Sequence, residues 1–324
     1  MKNSKSRRGA KRRIDFDVSP GDEPGEINMV LSPRRYDPIT KEGKIVAYKD
    51  KKTDATITIE ELKEELLNQP LFYDDFIYNF DILKQEACSY LKECKSELVQ
   101  HWDEPYELED IGIPLADILS KLRGKETQIV ILYVDMAGST IVSANVDMWT
   151  NVKINRIFHM LMSRIIAKYG GFVHNTVGDE VISVIPASRF APASDNAIKA
   201  AMTMRDGVED VLNPLFDEKK LPKIGLHIGL DLVEAAVASV GAQGIAASDE
   251  FISHQMNVAG KIAKLAKRDE ILLGRNLFDV LHIDWQDKCE KYTTDQQQIA
   301  DIDSGGIYQV YRFLARWSCP DRQI

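Results

Sequence analysis

Two stretches between Gln128 and Pro186 constrain this chain more than any other part of it: QIVILYVDMAGST (128–140) and GGFVHNTVGDEVISVIP (170–186). Ile129 to Val134 is an unbroken apolar run rich in β-branched residues, which is the pattern of a strand buried on both faces. Asp135 sits where that strand should end, followed by small and hydroxylated residues. The second stretch reads as a hairpin with Val177, Gly178 and Asp179 at its turn. Two carboxylates, Asp135 and Asp179, are thus expected at the tips of rigid elements, 44 residues apart. Such a pair, beside a loop of backbone N–H groups, suits magnesium or manganese carrying a triphosphate. Hard cations take oxygen ligands and phosphates take N–H donors.

These segments resemble the catalytic domain of the class III nucleotidyl cyclases, the adenylate and guanylate cyclases. Four blocks match in order: VILYVDMAGST, AKYGGFVHNTVGDEVISVIP, KIGLHIGLDLVEAAVASVG and ISHQMNVAGKIAKLAKRDEILLG, and the resemblance as a whole covers roughly Lys125 to Phe313. The resemblance implies an α+β, ferredoxin-like sandwich with a mixed or antiparallel sheet, over residues 125–320. It also implies a homodimer that cyclises a nucleoside triphosphate with two divalent cations, Mn²⁺ or Mg²⁺. By the same resemblance Asp135 and Asp179 hold the metals, completed by the carbonyl of Met136. Backbone N–H groups of Ala137, Gly138, Ser139 and Thr140 hold the triphosphate. Asn257 contacts the ribose, and Lys261 stands where the family places a transition-state arginine. Lysine supplies charge there but lacks the bidentate fork of a guanidinium.

The base-selecting positions depart from the family. Asn175 and Glu250 occupy them, where adenylate cyclases pair lysine with aspartate or threonine and guanylate cyclases pair glutamate with cysteine. Asn175 both donates and accepts, and an ionised Glu250 only accepts; neighbouring Asp249 is the alternative if the register slips by one. The mismatch admits a pyrimidine base. Stand-alone bacterial cyclases similar to this family make cyclic CMP or cyclic UMP in anti-phage (Pycsar) systems, beside a cyclic-nucleotide-sensing effector. The alternatives are an adenylate cyclase with divergent selectors, a non-catalytic nucleotide-binding domain, and a diguanylate cyclase. The last is disfavoured because Gly-Gly does not directly precede Asp179-Glu180.

Charge places limits on partners. The net charge is −9, but residues 1–13 carry seven basic side chains and no acid, so the remainder stands at −16. An acidic body argues against nucleic acid as a partner. No apolar run reaches the roughly 18–20 residues that span a bilayer, and a cytoplasmic location is expected. Cys88, Cys94, Cys289 and Cys319 lack metal-ligand spacing, and free thiols are expected.

Residues 1–26 read as a basic disordered tail. Residues 27–124 read as a mostly helical extension that opens with short strand-like pieces at 45–48 and 55–59. Thr58 and Glu61 fit a capping box for a first helix, and a helix over 73–102 carries an apolar stripe at Phe76, Phe80, Leu83, Ala87, Tyr90, Cys94 and Leu98. That stripe fits either intradomain packing or pairing of two chains. Further on, a helix over 146–169, strands at 223–230 and 233–240, and a helix over 251–266 are expected.

Overall fold

The strand predicted at Ile129–Val134 is the centre of the sheet. Ile129, Val130, Ile131, Leu132 and Val134 are all fully buried. The computed structural model describes residues 13–22, 26–68, 79–103, 115–188, 190–242, 246–293, 299–301 and 305–319. The tail call on residues 1–12, part of the 73–102 helix and the proline-containing connector near 105–114 lie outside the described residues.

The chain divides into two units, residues 1–79 with 279–287, and residues 80–278 with 288–324. In the first, β1 (Phe16–Pro20) pairs with β2 (Ile27–Leu31), and β3 (Tyr36–Lys41), β4 (Lys44–Asp50) and β5 (Thr56–Thr58) form an antiparallel sheet followed by α1 (Ile59–Asn68). This corrects the tail reading for Phe16–Pro20, and strands precede the helices of the extension. Buried Arg35 organises the unit by charge pairing. It donates to Asp15 at 2.8 Å and Asp50 at 3.0 Å, and to the carbonyls of Leu281 and Asp279. The capping box at α1 is present, with Thr58 and Glu61 exchanging hydrogen bonds at 2.9 and 3.2 Å.

The second unit opens with α2 (Phe80–His101) and α3 (Leu115–Leu122). The apolar stripe of α2 faces its own unit, with Ala87, Cys88, Leu91, Cys94 and Leu98 buried, and Tyr90 donates to the carbonyl of Arg164. Then come β6 (Glu126–Ala137), α4 (Ser139–Asn145), α5 (Met148–Lys168), β7 (Phe172–Val177), β8 (Glu180–Pro186), α6 (Phe190–Gly207) and α7 (Asn213–Glu218). The unit continues with β9 (Gly225–Ala242), β10 (Ala246–Ile252), α8 (His254–Leu265), β11 (Glu270–Gly274), α9 (Arg275–Val280), β12 (Cys289–Tyr292) and β13 (Val310–Phe313). The strand order is β12-β13-β11-β9-β6-β8-β7, with β10 added on β9. Only β11 runs parallel to its neighbour β9; the other named pairs are antiparallel. This is the mixed α+β sheet that the sequence implies.

Two sequence readings are revised. The strands expected at 223–230 and 233–240 are one 18-residue strand, β9, because polar Asp231 is buried in line and satisfied by Tyr308, at 2.6 Å, and by the N–H of Leu277. Phe251 belongs to β10, and α8 starts three residues later, capped by Ser253 accepting from the N–H of Gln255. The thiol expectation is corrected for one pair: Cys88 and Cys319 form a disulfide, while Cys94 and Cys289 are outside any disulfide. It ties the segment after β13 to α2. There Trp317 is fully buried, donates to Thr203 Oγ1 at 2.9 Å and lies against Phe80.

The approach of α8 to β9 depends on one residue. A Cβ on Gly229 would lie 2.2 Å from the backbone nitrogen of Ala263, so no side-chain adjustment relieves the clash. Gly229→Ala is expected to destabilise the protein by about 1–3 kcal/mol, read as a lowered urea midpoint with unchanged slope.

Candidate active site

β6 is buried from Ile129 to Leu132 and again at Val134, Met136 and Ala137, and Asp135 stands half-buried among them. Its cross-strand partners are Glu180 on β8 and His227 on β9. Directly paired side chains in an antiparallel ladder sit with Cβ atoms about 4.5–5.5 Å apart. Asp179 occupies the β7–β8 turn next to Gly178, whose φ of +66° a side chain adopts at a cost. That turn is held from below by His159, whose Nε2 lies 3.0 Å from the carbonyl oxygen of Gly178.

Three acids therefore converge at one end of the sheet, and the electrostatics record it. Burial raises the Asp135 carboxyl above its ordinary value, and the charge of Asp179 raises it further, while His227, the N–H of Met136 and Lys264 act the other way. Glu180 is raised by burial first and by Asp135 next, with Lys264 opposing. Carboxylates that disfavour one another's charge are an oxygen-donor set that a hard divalent cation would relieve. Among the described residues no group of three or more His, Cys, Asp or Glu could hold a metal ion. Asp135 and Asp179 are two oxygen donors of the kind a hard cation takes when a ligand supplies the rest.

β6 runs through Asp135 into the turn that opens α4. Met136 and Ala137 are buried, and Gly138 takes φ +99° at the start of α4, where no side chain caps the first turn. Uncapped first-turn N–H groups are donors for an anion. Arg268 was not singled out from the sequence, yet it donates to the carbonyls of Ala137, at 3.5 Å, and Lys223, at 3.4 Å, and so braces this loop.

Asn257 and Lys261 lie one turn apart on the exposed side of α8. Asn257 is not the helix cap, since Ser253 fills that role. Lys264, also missed, extends the same side toward Asp135 and Glu180, whose charges it stabilises. Its spacing of three from Lys261 was the available signal. The base positions are less simple than expected. Asn175 is exposed, and its side-chain oxygen accepts from the N–H of Thr176 at 2.8 Å, leaving its amide N–H₂ outward. Asp249, the alternative to Glu250, accepts from Arg123, at 2.6 Å, and from Ser239, at 2.5 Å. Glu250 is half-exposed and faces His174.

Comparison with known proteins follows the same line. No family model matches the chain. It is 31% identical over 162 residues to a uridylate cyclase from Xanthomonas perforans, covering 48% of this chain and 68% of that protein. It is 28% identical over 145 residues to a uridylate cyclase from Rhodovulum sp. (strain MB263), covering 43% and 59% respectively. The fold superposes on the adenylyl cyclase CyaB from P. aeruginosa with a TM-score of 0.51 and 20% identity, covering 59% of this chain and 95% of that one. A guanylyl cyclase superposes with a TM-score of 0.50 and 17% identity, over 59% and 93%.

The raised Asp135 carboxyl has a consequence for stability. An acid whose folded pKa is raised costs stability when ionised, and that cost disappears as pH falls through the raised value. Asp135→Asn should therefore stabilise the metal-free protein at pH 7.5 by about 1 kcal/mol. The gain should shrink at a lower pH, as the wild-type carboxyl takes up its proton. Urea unfolding at the two pH values checks both the sign and the trend.

Proposed function

The chain belongs to the class III nucleotide cyclases, and from that premise we propose that it is a pyrimidine cyclase converting UTP to 3′,5′-cyclic UMP and pyrophosphate. The observation that carries the choice of base is the 31% identity to a uridylate cyclase over two thirds of that protein's length. The absence of either purine selector pair at Asn175 and Glu250 agrees with it. An outward amide N–H₂ and a carboxylate acceptor complement O4 and N3–H of uracil.

The reaction is an attack by the ribose 3′-oxygen on the α-phosphorus. The P–O bond to the β-phosphate breaks, and pyrophosphate carries the electron pair away. The protein's task is to position these groups and neutralise their charge. In this reading Asp135, Asp179 and the carbonyl of Met136 hold two divalent cations, Mn²⁺ or Mg²⁺. When bound, these cations screen the triphosphate and favour ionisation of the 3′-hydroxyl. N–H groups of Ala137 to Thr140 orient the β- and γ-phosphates. A second copy of the chain supplies Asn257 to the ribose and Lys261 to the charge that develops on the phosphoryl oxygens. Lys261 neutralises as a point charge, without the two-point grip of a guanidinium. Among the described residues no helix is long and apolar enough to cross a membrane. A cytoplasmic signalling role, with a cyclic-nucleotide-sensing effector downstream, follows from the proposed product.

Incubation with Mn²⁺ and each of ATP, GTP, CTP and UTP, followed by mass spectrometry, tests this. Cyclic UMP should dominate; cyclic AMP as the main product would instead favour an adenylate cyclase with unusual selectors, and no product would favour a nucleotide-binding domain. Asp135→Ala and Asp179→Ala should each lower turnover by at least about 10³-fold, in line with loss of several kcal/mol of charge stabilisation, without changing oligomeric mass. Retained activity in both variants would remove the metal assignment. Lys261→Arg should raise kcat, since it restores the fork.

A further inference from the structure

β7 carries one residue too many for its partner. Val173 pairs with Ser183 and Asn175 with Ile182, so His174 is the extra residue of a β-bulge. A bulge re-aims a side chain. Here it turns the imidazole onto the ring of Phe251, edge-on at 5.6 Å, and brings Nε2 to 3.3 Å from the carboxylate of Glu250. The other carboxylate oxygen of Glu250 accepts from Ser248 Oγ at 2.8 Å. The His174 side chain is 8% exposed, and its Nδ1 is buried with no hydrogen-bond partner among the described residues.

The ring nitrogen Nε2 stands at ion-pair distance from the carboxylate. The tautomer with its hydrogen on Nε2 would turn an N–H toward that acceptor and leave the lone pair on buried Nδ1. A buried bare acceptor costs less than a buried bare N–H, and burial holds the ring neutral against the pull of Glu250. Glu250 thus accepts from Ser248 at one oxygen and has the His174 ring beside the other. Its side chain is 37% exposed, so acceptor positions remain on the open side.

We infer that His174 is a positioning residue that holds Glu250 as an acceptor-only reader of the base, selecting nucleotides that present an N–H at that point. This deepens the proposed function and rests on its assignment of Glu250 to the base. The bulge also divides the labour of adjacent residues: Asn175 points outward, and His174 sets the geometry of the second selector.

The test uses binding rather than turnover, with the full chain, Mn²⁺ and the 3′-deoxy analogues of UTP, CTP, ATP and GTP, which lack the hydroxyl that cyclises. Calorimetry gives four dissociation constants and hence a base preference. His174→Leu fills the space without a polar nitrogen beside Glu250 and should reduce the preference for 3′-deoxy-UTP over 3′-deoxy-ATP by about tenfold. His174→Gln keeps an N–H near the Nε2 position and should hold the preference within about twofold of wild type. If His174→Leu fails to fold, His174→Asn, whose amide stops short of Glu250, serves as the donor-less variant. An unchanged preference in the donor-less variant overturns the inference. If Glu250→Gln shifts the preference while the His174 variants do not, Glu250 reads the base without His174. If neither shifts it, the base assignment itself falls, whether or not the protein makes a cyclic nucleotide.

Discussion

Everything at the catalytic end depends on a carboxylate held where it is least comfortable. Asp135 sits at the end of a strand whose preceding residues are sealed from water, opposite Glu180 and within the field of Asp179. Such a cluster is unstable as bare charge and stable only with positive charge nearby. Some of that charge is built in, through Lys264 and the N–H of Met136. On the proposed reading a cation carried by the triphosphate would supply the rest, and the repulsion that makes the cluster costly as bare charge would favour its uptake.

A second constraint is the contact between α8 and β9. Gly229 lets the helix backbone come within the radius of an absent methyl group, and this sets the height at which Asn257, Lys261 and Lys264 stand over the sheet. Helix and strand therefore move as one body. The residues assigned to ribose and phosphoryl contact inherit the rigidity of the central sheet rather than that of a loop.

Much of this was legible in the sequence because it rested on local signals. The run Ile129–Val134, the Gly178-Asp179 turn and the Thr58–Glu61 cap each announce themselves within a few residues, and each stands where expected. What was not legible depended on distant partners. β9 read as two strands because Asp231 breaks its apolar run, and the tyrosine that satisfies it is 77 residues away. Phe251 fits a helical stripe as well as a strand, and only its pairing to Val237 decides between them. The bulge at His174 shifts register by one residue, which exchanges inward and outward faces without altering composition. That is why Asn175 alone was read as the first selector and His174 was passed over.

The sulfur bridge between Cys88 and Cys319 spans 231 residues and encloses nearly the whole second unit, from within its first helix to the segment after its last strand. Mechanically this makes the unit a closed loop with two short tails. Tension applied along the backbone, entering before Cys88 and leaving after Cys319, runs through the bridge and does not load the ladders that join β6 to β8 and β9. A machine that threads and pulls polypeptides would meet a knot of constant length here rather than a sheet it can unzip strand by strand. Asp135 and Asp179 lie inside the part that carries no load.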